Sequence, residues 1–586
     1  MFKLLKYTTK KERCFAVIAL IFVILGVWLD LKLPDYMREI TQLVQTQGSQ
    51  LGDVLNAGGK MIICSLLSAG TTIVVGYTVA HVAAGFAKTL RNKVYSKTID
   101  FGKEEISKFS NASLITRTTN DVMQIQMFIA MGLQAIARAP IMAAWAAFKI
   151  AGKSWQWTTA TVVAVIILIM VMITISCLVI PRFKIMQKLT DNLNKTSREN
   201  IVGIRVVHAY NAEMYQQNKF EQANNELTRT QLFTTRSMSF LFPTVGMIMS
   251  GLTLAIYTIG VLIINDASVP ARLPLFSDMV VFSSYAMQII MSFMMITVAF
   301  FIGPRAFVAA GRINEVLDTN IAIVSGKKTK VDDAMAGTVE FKNVTFKYPD
   351  AEHAVLRNIS FIAKKGETVA IIGSTGSGKS SLVQLIPRLF DCTSGQILVD
   401  GNNICELDEH FLRKIVGYIP QKPFLFKGTI KSNIIYGEVG QVDESRIEKA
   451  LMISQASDFV KSLDLGLNSE VAQSGSNLSG GQRQRISIAR AIYKNPEIII
   501  FDDSFSALDY KTDSAVREAL TKELGGTTRI IVAQRIGTIM DADQILVIDD
   551  GHVVGHGKHS ELLKTCKVYR EIAESQLSEE ELKNAR

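Results

Sequence analysis

Six apolar runs, each close to or above the length that crosses a bilayer, place the first half of this chain in a membrane. A transmembrane helix needs about 20 predominantly apolar residues. The runs are 14–29, 61–87, 128–148, 158–180, 242–264 and 279–302. Hydrophobic residues make up 48% of the 586 positions and charged residues only 20%, which is unusual for a soluble enzyme. We therefore predict a multi-pass protein with six transmembrane helices in a lipid bilayer.

Basic residues indicate the orientation of these spans. The first run follows a basic segment, and 88–117 carries seven more lysines and arginines. A signal peptide would share the basic start, but no small-residue cleavage site follows and five further runs do. Because basic loops stay inside, we predict a plasma-membrane protein with both termini and the C-terminal domain in the cytoplasm. The connection between the third and fourth spans is expected outside, yet it contains Lys149 and Lys153 and no acidic residue. These two lysines disagree with the charge pattern.

Cysteine spacing and charge exclude several other classes of protein. The six cysteines show no CxxC spacing, so the sequence indicates neither a zinc site nor a disulfide framework. The net charge of +10 comes without a basic stripe interleaved with aromatic residues, so we expect no nucleic-acid partner. Lysines that flank the apolar spans explain the charge instead.

The pattern changes near residue 326. We predict a transmembrane domain over 1–325 with long cytoplasmic helical extensions, a linker over 326–338, a nucleotide-binding domain over 339–575 and a charged tail over 576–586. From 337 onward β-branched runs alternate with helical patterns, as in mixed α/β domains. The predicted fold is a six-helix membrane domain fused to a mixed α/β phosphate-loop domain.

A phosphate-binding loop stands between an apolar strand and a helical segment. Its residues are Gly373, Ser374, Thr375, Gly376, Ser377, Gly378, Lys379 and Ser380, and Ser381 follows in the helix. Glycines let backbone N–H groups turn toward phosphate oxygens, and the helix N-terminus adds a positive dipole. Lys379 is expected on the β- and γ-phosphates and Ser380 on Mg²⁺. The chain is predicted to bind a nucleoside triphosphate.

A second group of motifs follows in a specific order. The first is Leu478, Ser479, Gly480, Gly481 and Gln482, which precede a helical segment. The strand 498–501 then leads to the carboxylates Asp502 and Asp503. With the six spans upstream, the chain resembles an ATP-binding cassette exporter of the bacterial multidrug type over nearly its whole length.

The resemblance implies roles for further residues. Tyr348 matches the aromatic residue that stacks on adenine, although a core tyrosine is the alternative. Gln421 matches the glutamine that senses Mg²⁺, Asp502 matches the Mg²⁺-binding carboxylate, and Asp509 lies in the loop that crosses between two such domains. A plain surface loop is the alternative for each of these polar residues alone. The implied cofactors are ATP and Mg²⁺.

Three positions depart from the family pattern. Asp503 stands where the family usually has a glutamate that polarises the attacking water, and its carboxylate is one methylene shorter. Gln534 stands where the family has a switch histidine, and glutamine cannot shuttle a proton at neutral pH. Gln473 replaces a common glutamate as well. These changes resemble the degenerate chain of heterodimeric exporters.

The implied partner is a second homologous chain that supplies the glutamate and histidine. In the family, ATP binds between the phosphate loop of one chain and the signature motif of the other. Leu478 to Gln482 match the signature motif, so they would complete the partner's site. A homodimer with two slow sites is the alternative. Ser113–Arg117 and Val207–Tyr210 match coupling helices, or are solvated helix faces.

The apolar spans contain candidate substrate-contacting residues. Polar or soft side chains within spans could line a cavity or join helices: His81, Gln134, Arg138, Tyr285, Gln288, Met287, Met291, Met294 and Met295. The leading hypothesis is ATP-driven export of small amphipathic compounds. A peptide or lipid exporter of the same build and an ATP-gated regulatory subunit with little turnover are the alternatives.

Overall fold

The computed structural model describes residues 1–46, 49–331, 333–349, 351–438 and 440–577. The chain divides into two units, the first made of Met1–Ile99 and Asn111–Thr319. The second contains Asp100–Ser110 and the described residues from Asn320 onward. The predicted tail lies outside the described residues from position 578 on.

Long helices build the first unit. In chain order the helices up to residue 318 are α1 Lys10–Gln45, α2 Leu51–Ile99, α3 Lys103–Phe109, α4 Asn111–Thr116, α5 Val122–Met127, α6 Leu133–Ile150, α7 Trp155–Val202, α8 Ile204–Ala209, α9 Glu213–Ser239, α10 Leu241–Asp266 and α11 Val269–Asp318. Of these, α3 belongs to the second unit. The π-helical segments Arg117–Asp121 and Phe128–Gly132 continue the helix from α4 to α6.

Six helical stretches in the described residues are long and apolar enough to cross a membrane, which confirms the predicted spans. Their ranges are Lys10–Gln45, Leu51–Ile99, Asn111–Ile150, Trp155–Val202, Glu213–Asp266 and Val269–Asp318. Helices suit this environment because they satisfy every backbone polar group internally. α1 packs along α2, α6 along α11, and α7 against α9 and α10.

Ion pairs join α1 to neighbouring helices. The predicted first span ends at residue 29, but α1 continues to Gln45, so Asp30 and Asp35 lie on this helix. Asp30 Oδ2 lies 2.5 Å from Arg138 Nη2, and Asp35 Oδ2 lies 2.7 Å from Lys149 Nζ. A further pair does not involve α1: Lys153 Nζ, in the connection between α6 and α7, lies 2.9 Å from Asp278 Oδ1 on α11. These contacts explain the two lysines that disagreed with the charge pattern, since charges near lipid pair with one another.

The second unit is a mixed α/β domain. Its strands are β1 Val339–Phe346, β2 Leu356–Ala363, β3 Thr368–Gly373, β4 Ser394–Val399, β5 Asn402–Asn403, β6 Val416–Ile419, β7 Gly428–Thr429, β8 Glu470–Val471, β9 Ile498–Asp502, β10 Thr528–Val532, β11 Gln544–Asp549 and β12 His552–Gly557. Its further helices are α12 Lys379–Leu385, α13 Glu409–Ile415, α14 Ile430–Ile434, α15 Glu444–Ile453, α16 Ser457–Lys461, α17 Gly480–Tyr493, α18 Tyr510–Glu523, α19 Ile536–Ile539, α20 His559–Thr565 and α21 Lys567–Glu574.

Two larger sheets carry these elements. The order β12-β11-β3-β10-β9-β6 forms a six-stranded sheet in which β11, β3, β10, β9 and β6 run parallel. The order β2-β1-β4-β5 forms an antiparallel sheet. Strands β9 and β10 are buried at every position, and their apolar runs 498–501 and 530–532 fit central strands that are covered on both faces. This arrangement agrees with the predicted mixed α/β class.

Candidate nucleotide site

Four neighbouring parallel strands bring the predicted site residues to one edge of the sheet. The phosphate loop follows β3, Gln534 follows β10, Asp502 ends β9, and Gln421 follows β6. Ligands of open α/β sheets bind outside the carboxyl ends of the strands. Residues separated by more than 150 positions in the sequence therefore meet at this edge.

The phosphate loop has the backbone shape that its glycines permit. Gly376 and Gly378 have φ values of 86° and 98°, in the left-handed region that favours glycine. A Cβ on Gly378 would lie 2.8 Å from Leu356 Cδ2, whereas one on Gly376 would meet nothing within 4 Å. Gly378 therefore permits close packing, while Gly376 leaves the loop open for a phosphate group.

Lys379 folds back over its own loop. Its Nζ donates to the carbonyl oxygens of Gly373 at 2.9 Å and Ser374 at 2.6 Å. Burial lowers the pKa of Lys379, while the carboxylates of Asp503 and Asp502 act in the opposite direction. The Lys379 ammonium therefore lies in the loop close to two carboxylates. When a phosphate group binds, its oxygen would replace the two carbonyl oxygens as hydrogen-bond acceptor of this ammonium.

Asp502 is held by two hydroxyl groups. Ser380 Oγ donates to Asp502 Oδ1 at 2.6 Å, and Tyr418 Oη donates to Oδ2 at 2.9 Å. Burial, together with Asp502, raises the pKa of Tyr418, so its hydroxyl stays protonated and donates. Sequence reasoning missed Tyr418. The only signal was its position three residues before Gln421 at the end of a strand.

Asp503 accepts hydrogen bonds from two glutamines. Gln534 Nε2 lies 2.7 Å and Gln421 Nε2 lies 3.1 Å from Asp503 Oδ2. Asp503 is 6% exposed and has a φ of 50°, a conformation that aspartate tolerates better than most residues. Burial raises the pKa of Asp503, and the two amide donors partly offset this effect. Asp503 and Gln534, two of the positions that depart from the family pattern, are thus in direct contact.

Tyr348 lies beside the phosphate-loop helix. Its hydroxyl is 2.9 Å from Ser381 Oγ, and its ring packs edge-on against Phe346 and Phe390. The side chain is half-buried, so one part of the ring packs in the core and another part is accessible. Adenine stacking stays a prediction.

The signature residues form a separate exposed helix start. Ser479 caps α17, with Oγ accepting from Gln482 N at 3.3 Å while its own N–H donates to Gln482 Oε1 at 2.8 Å. Gly480 and Gly481 leave room around their Cα atoms. Asp509 caps α18 by accepting from Thr512 N at 3.0 Å. These hydrogen bonds stay within the helix ends, so the N-terminus of α17 remains accessible to an anion.

The segment Asp100–Ser110 belongs to the nucleotide-binding unit, which sequence reasoning missed. Lys103 Nζ donates to Gln384 Oε1 at 2.9 Å, and Glu105 Oε1 accepts from Ala322 N at 2.8 Å. The predicted coupling segment Ser113–Arg117 lies in the other unit. The positive φ of Ser110, 58°, separates α3 from α4 and was not evident from the sequence.

Part of the predicted substrate set lines one cavity of about 370 Å³ in the membrane unit. Its lining comprises Arg138, Ala139, Met142, Gln288, Met291, Ser292, Met294 and Met295. Gln288 Oε1 is buried without a hydrogen-bond partner among the described residues. Tyr285 lies elsewhere, fully buried, with its hydroxyl 2.7 Å from Asp35 Oδ1. His81 is exposed and bonds the Tyr77 carbonyl at 3.0 Å.

Comparisons with known proteins agree with this geometry. The family model described as ABC transporter transmembrane region matches residues 16–293, and the model described as ABC transporter matches 356–506. An uncharacterized ABC transporter ATP-binding protein of Mycobacterium tuberculosis is 36% identical over 92% of this chain and 93% of that protein. The chain belongs to the ABC transporter family.

Two further relatives extend the comparison of this ABC transporter. An ATP-dependent lipid A-core flippase of Saccharophagus degradans is 32% identical over 83% of this chain and 81% of that protein. The solved structure of a bacterial Atm1-family ABC exporter with ATP bound shares the fold, with a TM-score of 0.81, 24% identity, and coverage of 97% of this chain and 99% of that chain. The protein is an ATPase coupled to transport across a membrane.

ATP and Mg²⁺ are the cofactors of this transporter. The residues present fit the metal, because the hydroxyl of Ser380, the carboxylate of Asp502 and the side-chain amide of Gln421 offer the oxygen ligands that Mg²⁺ prefers. When bound, Mg²⁺ neutralises charge on the phosphate oxygens. Ser380 and Tyr418 fix the Asp502 carboxylate, and the loop N–H groups together with Lys379 would hold the triphosphate.

Proposed function

We propose that this transporter is the degenerate-site chain of a heterodimeric exporter. The observation that carries the proposal is the pair of amide donors on Asp503, one from Gln534 and one from Gln421. A general base must accept a proton from the attacking water. Asp503 is a short carboxylate already engaged by two N–H groups, and Gln534 has a neutral amide that cannot take up a proton. The phosphate-loop half contributed by this chain is therefore poor in hydrolysis.

The signature motif, Leu478 to Gln482, supports the same proposal. Ser479 and Gly480 are exposed at the start of α17, where a helix dipole and free N–H groups favour an anion. ABC exporters work as dimers in a lipid bilayer. A partner chain with glutamate and histidine at the positions of Asp503 and Gln534 would supply the ATP that this signature completes. A homodimer with two slow sites is the alternative.

Steady-state ATP hydrolysis by the purified dimer tests the assignment. Asp503→Asn should lower turnover less than about 10-fold, whereas loss of the partner's base should cost on the order of 10² to 10⁴-fold. Ser479→Arg places a bulky cation against the partner's ATP and should abolish turnover. If Asp503→Asn stops turnover and Ser479→Arg leaves it unchanged, ATP is hydrolysed at this chain's own phosphate loop and the proposal is wrong.

The cavity next to Arg138 and Gln288 supports small amphipathic compounds as the substrate class. Its methionines adapt to varied apolar shapes, and Gln288 adds a buried polar atom. The relatives named as lipid A-core flippases favour a lipid substrate as the second candidate. Gln288→Leu should alter the stimulation of ATPase activity by a polar amphiphile more than by a purely apolar one.

We propose in addition that both termini are cytoplasmic and that the domain limits are 1–325 and 339–575. The basic N-terminus and the even number of spans support this orientation. Tags placed before residue 1 and after residue 586 should both resist protease in sealed cells. Cleavage of either tag from outside would refute the orientation.

A further inference from the structure

A groove in the membrane unit lies between α7 and α9 and has a cavity volume of about 710 Å³. It is lined by Ile175, Leu178, Arg229, Leu232, Phe233, Arg236, Ser237 and Phe240. Phe240, which is 68% exposed, marks the end of the groove nearest to the apolar run, and Arg236 and Arg229 precede it along the chain. A groove lined by apolar side chains and two guanidinium groups suits an amphiphile rather than a uniformly polar or apolar ligand.

The groove lies at a boundary of the membrane spans. The apolar run of α7 ends at Ile180, and the next apolar run begins at Phe242, directly after α9. Arg182 and Phe233 fix the register of the two helices, because the Arg182 guanidinium carbon lies 4.9 Å from the centroid of the Phe233 ring. The apolar end of the groove therefore reaches the acyl region, and the arginines stand at headgroup level.

Basic residues predominate along the groove. Residues 175–190 of α7 and 227–239 of α9 contain five basic residues, and the nearest acidic residues on these helices are Asp191 and Glu226, just outside these segments. Among the described residues neither Arg229 nor Arg236 has an ion-pair partner. Nearby, the guanidinium carbon of Arg305 on α11 lies 5.8 Å from the centroid of the Phe183 ring. Guanidinium groups bind phosphate strongly because their planar N–H forks match its oxygens.

We propose that this groove binds an anionic phospholipid. Arg229 and Arg236 hold the headgroup phosphate, and Ile175, Leu178 and Phe240 contact an acyl chain. With the orientation proposed above, the lipid belongs to the inner leaflet, where anionic headgroups attract basic side chains at the membrane surface. The site is separate from the cavity next to Gln288, and it does not depend on which compound is transported or on which chain hydrolyses ATP.

Lipid titration of the purified full-length transporter in detergent, followed by native mass spectrometry, tests the site. Phosphatidylglycerol should bind more tightly than phosphatidylcholine. Arg229→Gln with Arg236→Gln should weaken phosphatidylglycerol binding about 25-fold, or about 5-fold for each arginine. The matched control Lys195→Gln with Arg198→Gln removes two positive charges from α7 beyond the groove and should leave binding unchanged. Arg229→Lys with Arg236→Lys keeps the charge and should retain most of the affinity.

Three results would overturn the proposal. Equal phosphatidylglycerol affinity in the glutamine pair and its control means that no headgroup site exists. Competition by inorganic phosphate or glycerol phosphate as strong as that by the intact lipid identifies a free-anion site. Loss of the dimer in the glutamine pair, with lipid binding intact, means that a partner chain covers the groove.

If the glutamine pair does not fold, the variant with Arg229→Lys and Arg236→Lys tests the site instead. Equal binding of phosphatidylcholine and phosphatidylglycerol to this lysine variant would exclude headgroup selection.

Discussion

Gln534 donates a hydrogen bond from Nε2 to Oδ2 of Asp503 at a distance of 2.7 Å. The amide of Gln534 thereby occupies the carboxylate oxygen that a catalytic base would turn toward water. Because both residues depart from the family pattern and contact each other, their effects on hydrolysis should be coupled rather than additive.

Restoring both family residues should therefore create a hydrolytic site at this chain's phosphate loop. In a dimer whose partner lacks its base, Asp503→Glu with Gln534→His should raise steady-state ATP turnover by at least about 10²-fold, the usual contribution of a positioned base. Asp503→Glu alone should gain much less, because Gln534 still bonds the carboxylate. Equal gains from the single and double variants would show that the contact has no part in the defect.

Lys379 supplies the cation in the phosphate loop, where it is 9% exposed and bonded to two carbonyl groups. Lys379→Ala removes a charge-assisted contact of about 1.5 to 3 kcal/mol, so ATP affinity should fall roughly 10- to 150-fold. Photolabelling with an azido-ATP analogue measures this loss. The exposed Lys364→Ala provides the control and should label normally, and unchanged labelling of Lys379→Ala would refute the role.

The sequence predicts those parts of the site that depend on local patterns. It does not predict contacts between residues that are far apart along the chain. The sequence predicted strands before the phosphate loop and Asp502, and the family resemblance supplied Gln421 and Gln534. The sheet brings all of them to one edge. Local patterns cannot show which side chains then touch, so the bond from Tyr418 to Asp502 was missed. The assignment of Asp100–Ser110 to the second unit was missed for the same reason, since it depends on contacts with Gln384 and Ala322.

The membrane unit shows the same limit. Apolar run length was sufficient to predict six spans, but hydropathy ends the first span near Leu29 while α1 continues to Gln45. Helix beyond the apolar run is stabilised here by pairing of Asp35 with Lys149, a contact between positions 114 apart. Such pairing has no signature in a single sequence.

The ion pair between Asp30 and Arg138 should contribute to the stability of the membrane unit. Its atoms lie 2.5 Å apart, and Ser68 Oγ donates to the same carboxylate. Asp30→Asn leaves Arg138 without its anion and should cost more than about 1 kcal/mol, although less than the 3–5 kcal/mol of a fully buried pair. The melting temperature in nanodiscs measures this cost. Asp30→Asn with Arg138→Gln should recover most of the loss, and a further fall in that double variant would contradict the pairing.

Asp400 should make the nucleotide-binding domain less stable at neutral pH than in mild acid. Burial, together with the carboxylate of Glu497, raises the pKa of Asp400 from 3.8 to about 6. Both Asp400 Oδ2 and Glu497 Oε2 are buried without a hydrogen-bond partner among the described atoms. Because the folded protein keeps a proton that the unfolded chain releases, the free energy of unfolding falls as pH rises from about 4 to about 6.

Asp400→Asn removes the charge but keeps an oxygen that can accept the 2.8 Å hydrogen bond from Gly337 N. Asparagine also tolerates the φ of 50° at this position. At pH 7.5 the variant should stabilise the domain by on the order of 2–3 kcal/mol, and near pH 4 the gain should vanish. The melting temperature of the full transporter at several pH values measures the difference. Asp408→Asn is the control: hydrogen bonding from Phe411 N lowers the pKa of Asp408, so that variant should give no gain at pH 7.5. A pH-independent gain in Asp400→Asn would show that proton binding at Asp400 is not the cause.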